Sequence, residues 1–140
     1  MSYATRQSMI ARFGEGEVIA LTDRDHLGVI DDQVLDGGLE EADAEIDPYL
    51  QPKYVLPLPI VPRIIVGMAC DIARYRLCGG AVTETEEVRN RYKDALKFLE
   101  RVSRGEISLG LDATNHAAKP VNTVQFSQPG VRVFDRGSRG

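Results

Sequence analysis

Two stretches of this sequence set apolar residues at steps of 4, 3, 4 and 3, and that spacing decides the fold class. Leu35, Leu39, Ala42, Ile46 and Tyr49 form the first series; Val88, Tyr92, Ala95, Leu99 and Val102 form the second. Residues three and four apart share one side of an α-helix. Each series therefore predicts an amphipathic helix, over 31–49 and about 83–103. A one-sided helix is stable only when that side is covered by another element. The chain's 140 residues suit a single domain with a core of its own, and exclude a large two-domain enzyme.

Shorter helical signals precede and separate the two stripes. Thr5 can cap a helix over 5–13 with Met9, Ile10 and Phe13 on one side and Gly14 at its end. Val18, Ile19 and Leu21 face inward from a second short segment, and Thr22-Asp23-Arg24-Asp25 is a break. Pro62 suits the first position of a further helix, whose apolar face is Ile64, Ile65, Met68, Ala69, Ile72 and Ala73 and which Gly79-Gly80 ends. Its late charges are only Arg74 and Arg76, so it is expected to be the buried central helix. Gly37-Gly38 either marks the true start of the first striped helix or a close approach by a neighbour. Thr83, Thr85 and Glu86 offer capping chemistry to the last helix. Glu87–Arg91 and Glu100–Arg104 are spaced as i,i+4 pairs on its wet side.

Residues 50–62 carry Pro52, Pro57, Pro59 and Pro62, which stiffen the connection and exclude helix. Their apolar content places this crossover across the core, unlike a polar linker. Beyond Gly105 no helical stripe remains. Val121, Val124 and Phe126, then Val131, Val133 and Phe134, read as two short extended runs around Ser127-Gln128-Pro129-Gly130, compatible with a β-hairpin. The expected architecture is mostly α: a small helical bundle of four or five helices over residues 1–105, with a Pro-rich crossover, followed by an extended C-terminal arm over 106–140.

Reactive chemistry is sparse. His26 and His116 are the only histidines, and neither has a ligand-like companion at helical spacing. Asp23-x-Asp25-His26 falls in the break, where aspartate serves as a turn former. No calcium loop, phosphate-binding glycine loop or nucleophile elbow occurs. The expectation is no enzyme, no cofactor, no metal. Cys70 and Cys78 would lie ~12 Å apart along a helix, too far for a disulfide, and read as small buried hydrophobes in a reducing compartment, with an exposed reactive thiol as the alternative. No apolar run is long enough for a membrane span and the start lacks signal-peptide character, so a soluble intracellular product without a membrane role is expected.

Charge is divided along the chain. Residues 1–60 hold 12 acids against 4 bases, a balance of −8; residues 61–140 hold 13 bases against 9 acids, a balance of +4. Either acidic and basic helices pair within one monomer, or one subunit's acidic face meets its neighbour's basic face in a head-to-tail contact. The basic series Arg89, Arg91, Lys93, Lys97, Arg101 and Arg104 is interrupted by Asp94 and Glu100, with Glu87 before it, and reads first as a solvated helix face. It is also the one support for a rival function, a small intracellular binding module regulating nucleic acid or a host protein.

Several motifs recur in order: Tyr3-x-Thr5, Phe13-Gly14-Glu15, Leu21-Thr22-Asp23-Arg24, Ala42-Asp43-Ala44-Glu45-Ile46-Asp47-Pro48-Tyr49-Leu50, Lys53-Tyr54-x-Leu56-Pro57-Leu58, Val61-Pro62, Asp71-Ile72-Ala73-Arg74-Tyr75-x-Leu77, Arg91-Tyr92-Lys93-x-Ala95-Leu96 and Gly105-Glu106-x-x-Leu109-Gly110. Over residues 3–110 the chain resembles the Mu-like prophage family of small proteins. It is also similar to the wider group of tailed-phage head–tail connector, or head-completion, adaptors. That resemblance implies a structural virion protein at the neck, residing in the bacterial host cytoplasm before assembly. It implies a homo-oligomeric ring on the portal protein, with a monomer as the alternative in isolation. The ring would face the next neck or tail protein, and packaged DNA would pass through it without specific recognition. In related adaptors an extended C-terminal arm docks on the portal, which suggests Val131, Val133, Phe134 and Arg136 as interface residues here.

Overall fold

The computed structural model describes residues 2–79 and 83–111, and these form five helices and no β-strand. The hairpin expected near 121–134 lies outside the described residues. Helix α1 (Arg6–Phe13) opens on a reciprocal cap, in which Thr5 Oγ1 accepts from the Ser8 amide at 3.1 Å and Ser8 Oγ accepts from the Thr5 amide at 3.2 Å. Gly14, at φ +91°, closes α1 and starts α2 (Glu15–Thr22) without a break longer than itself. The Asp31 carboxylate caps α3 (Asp32–Leu50) by accepting from the amides of Gln33 and Val34.

Helix α4 (Arg63–Leu77) begins one residue later than expected, because Pro62 is extended at ψ 146° and stands outside the helix as its cap. Helix α5 (Glu86–Ser103) is capped by Thr85, whose Oγ1 accepts from the Val88 amide at 3.2 Å, and not by Thr83. The Glu87–Arg91 pair forms at 3.3 Å. The Glu100–Arg104 pair does not. The chain turns back after Gly105, at φ +81°, and brings Glu106 within 2.9 Å of Arg104 and 3.2 Å of Arg101.

Helix α4 is the centre of the bundle and packs on all four other helices. Leu35, Leu39, Ile46 and Leu50 of α3, Ile65, Ile72 and Leu77 of α4, and Leu99 and Val102 of α5 form one buried core with Met9 of α1 and Leu21 of α2. Burying each such side chain contributes about 1.5–3 kcal/mol. The helix runs straight through Gly37-Gly38, and the close-approach reading holds. A Cβ on Gly38 would lie 2.7 Å from Leu77 Cγ, so the α3–α4 contact requires glycine there. Leu58 anchors the crossover in the core, with Tyr54, Leu56 and Val61 half-buried, while Val55 and Ile60 stand exposed. After α5, Ile107, Leu109 and Leu111 rest on the core, and the Leu109 amide donates to Tyr54 Oη at 3.0 Å.

The apolar face expected of α4 is wider than the core uses. Ile65, Ala69, Ile72 and Ala73 are buried, but Ile64 is 47% exposed and Met68 is half-buried. That surplus borders the principal surface groove.

Candidate functional site

The charged and aromatic residues of the sequence motifs tie the helices together. Asp71 on α4 is buried and takes a bidentate bond from Arg12 of α1, Nε to Oδ1 at 3.1 Å and Nη2 to Oδ2 at 3.0 Å. Arg91 of α5 approaches the same carboxylate at 3.7 Å. This contact with Asp71 raises the Arg12 pKa further above its ordinary value. Arg74 reaches Glu17 of α2 at 2.6 Å while its guanidinium lies 4.6 Å from the centre of the Phe13 ring.

A second knot joins α3, α4 and α5. Arg76 donates to Glu45 at 2.9 Å, the Tyr92 hydroxyl donates to the other Glu45 oxygen, and Tyr75 and Tyr92 stack at 4.0 Å between ring centres. Burial, reinforced by the Glu45 bond, pushes the Tyr92 phenol up to about 12. Tyr3 fastens the N-terminus to α3, its amide donating to Asp43 at 3.0 Å and its hydroxyl to Asp47. Burial and the Asp47 bond raise the Tyr3 pKa, and burial raises that of Asp43.

Part of the charge division is resolved inside the monomer, since Glu17–Arg74 and Glu45–Arg76 each join the acidic half to the basic half. Among the described residues, Asp25, Asp36, Glu40 and Glu41 of the acidic half have no ion-pair partner. Neither do Arg63, Lys93 and Lys97 of the basic half. In the basic series, Arg89 sits on Glu84, Arg91 on Glu87, and Arg101 and Arg104 on Glu106. Among the described residues, Lys93 and Lys97 of that series have no ion-pair partner.

The Asp23–His26 segment is a braced loop. The Asp23 carboxylate accepts from the Leu27 amide at 2.8 Å and the Gly28 amide at 2.7 Å, bonds that hold its pKa below the ordinary carboxylate value. Thr22 Oγ1, wholly buried, donates to the Val18 carbonyl and accepts from the Asp31 amide, which closes the loop at its base. His26 adopts φ +58° and Gly28 φ +79°. Among the described residues no three His, Cys, Asp or Glu side chains converge as a metal site, and no helix is long and apolar enough to cross a membrane. Cys70 and Cys78 are free thiols. Burial pushes Cys70 up to about 11 and raises Cys78 as well.

A surface groove of about 770 Å³ lies between α1, α4 and α5. Ile64, Met68, Ala95 and Phe98 give it an apolar lining, and Arg12, Arg63, Arg91, Asp71 and Asp94 ring it. Arg12 crosses over Gly67, where a Cβ would come within 3.1 Å of its guanidinium. Sequence reasoning counted Ile64 and Met68 as core; the groove needs three helices and could not be read from any one of them. Val131, Val133, Phe134 and Arg136 lie outside the described residues.

The sequence matches the protein family described as Bacteriophage Mu, Gp36 over residues 3–128, which extends past the motifs ending at Gly110. It is 34% identical over 128 residues, 91% of this chain and 89% of the relative, to the Mu-like prophage FluMu protein gp36 of Haemophilus influenzae. It is 30% identical over 141 residues, 100% of this chain and 99% of the relative, to gene product J of Escherichia phage Mu.

Proposed function

The chain belongs to the bacteriophage Mu Gp36 family, and from that premise we propose that it is a head–tail connector, a structural protein that completes the filled head. It assembles as a ring on the portal protein, extends the exit channel and offers a surface to the next neck or tail protein. Its place is the virion neck, and the host cytoplasm before assembly. The observation that carries this reading is where the motif residues go. Asp71, Arg74, Tyr75, Arg91 and Tyr92 are engaged in holding five helices as one rigid unit. What the described residues then offer is surface: the α1–α4–α5 groove and the exposed loop after α2.

The arm is assigned to the portal, with Val131, Val133, Phe134 and Arg136 as its contact residues. Purified portal mixed with the full chain should carry a ring of it under negative stain. The chain lacking 127–140 should keep its helical circular dichroism and lose the portal. A truncated chain that binds portal normally removes the arm from the account, and a full chain that never binds portal removes the connector reading.

The nucleic-acid alternative is weaker on physical grounds, because backbone recognition needs uncommitted cations and, among the described residues, four of the six bases in the series already face a carboxylate. A salt-dependent mobility shift of DNA would revive it.

A further inference from the structure

We propose that the loop over residues 23–30 of one copy seats in the α1–α4–α5 groove of the next, so that copies join head to tail. This rests on the connector reading and supplies the contact by which its ring would close.

The loop carries two large apolar side chains outward, Leu27 at 72% and Val29 at 56% exposure. Exposed apolar residues on a wandering loop would mean little. These stand on a loop closed by Thr22 and clamped by Asp23, so little ordering entropy remains to be lost on docking. The groove supplies the complement, an apolar lining that includes the 47%-exposed Ile64, with Met68 and Phe98 half-covered.

Charge agrees. The loop carries Asp23 and Asp25 against Arg24, with His26 beside them, and Asp25 has no ion-pair partner among the described residues. The groove rim carries Arg12, Arg63 and Arg91 against Asp71 and Asp94. Arg12 holds Asp71 and Arg91 lies between Asp71 and Glu87, so Arg63, which has no ion-pair partner among the described residues, is the rim cation left to face the incoming loop, with Asp94 opposing it.

Position excludes self-docking. Arg24 donates to the Leu77 carbonyl at 3.2 Å, so the loop sits at the C-terminal end of α4, whereas Ile64 and Gly67 line the groove near its N-terminal end. Thirteen residues of helix from Ile64 to Leu77 span ~20 Å. A protruding surface and its receiving groove at opposite ends of one central helix make a heterologous contact, which propagates from copy to copy and closes as a ring where the rotation allows.

Sedimentation velocity of the full chain over a concentration series tests this. The wild type should self-associate. Leu27→Ser with Val29→Ser (loop variant) and Ile64→Asp (groove variant) should each keep the wild-type circular dichroism and associate about tenfold or more weakly. Mixed together, the two variants should form a 1:1 pair and stop, since one retains the groove and the other the loop. Asp25→Arg should weaken association, and Arg63→Asp on the opposing copy should restore it. A wild type that stays monomeric throughout, variants that associate as the wild type does, or a mixture that gains nothing each overturn the proposal. So does loss of association on removing 112–140 with the loop variant unaffected, which would assign the groove to the arm. Portal binding measured in parallel separates the two readings: a loop variant that still forms wild-type rings on portal ends this inference and leaves the connector reading standing.

Discussion

Alanine at Gly37 should stabilise the fold and alanine at Gly38 should not, although the two positions are adjacent in one helix. Each substitution removes a glycine from a helix interior, worth about 1 kcal/mol in favour of alanine. That gain is common to both and cancels in the comparison. Around Gly37 nothing lies within 4 Å of a new Cβ. At Gly38 the Cβ would stand 2.7 Å from Leu77 Cγ, 2.8 Å from Cδ2 and 3.1 Å from Cδ1. Leu77 is 4% exposed, so it cannot swing into solvent to make room. Forcing such a contact costs about 1–3 kcal/mol, and the two variants should differ by that amount, roughly 2–12 °C in Tm for a chain of this size. Urea unfolding followed by far-UV circular dichroism reads it, with Gly37→Ala about 1 kcal/mol more stable than the wild type and Gly38→Ala gaining nothing and losing up to about 2 kcal/mol. Leu77→Ala should cost less in the Gly38→Ala background than alone, by at least about 1 kcal/mol. A Gly38→Ala protein as stable as Gly37→Ala would refute the close packing of α3 on α4 at this point.

Further outcomes follow from the fastening contacts. Tyr92→Phe removes the hydroxyl shared by Glu45 and Arg76 and should cost about 1–2 kcal/mol in the same urea assay, with the Tyr75 stack retained. The Asp23 carboxylate is held below its ordinary value of 3.8, so its contribution is present above that pH and lost as pH falls through the depressed midpoint. The Leu27 and Gly28 amide resonances should therefore titrate with a midpoint under 3.8, and a midpoint at or above it would contradict the clamp. Native Cys78 should react with a thiol reagent well before Cys70, which burial pushes up to about 11; equal rates would contradict the burial of Cys70.

The long helices were legible because their apolar spacing, capping residues and terminal glycines all agree with one another. Local signals also placed α1, α2 and the crossover within a residue or so. What escaped depends on groups far apart in sequence. Nothing near Glu100 reveals that Arg104 will turn to Glu106, since that needs the left-handed Gly105. Nothing near Tyr3 announces Asp43 and Asp47, forty residues away. The apolar residues of α4 were countable, but which of them the other helices leave uncovered is a property of the assembled bundle. Spacing alone therefore places Ile64 with the core, and Leu27 and Val29, between the polar break and α3 with no periodicity, carry no signal.

The connector claim is tested most directly by locating this chain in purified phage particles, by labelling it and imaging the head–tail junction. The account predicts signal confined to the neck, between portal and tail, in every tailed particle. Particles that lack the polypeptide, yet hold filled heads joined to tails, would contradict it.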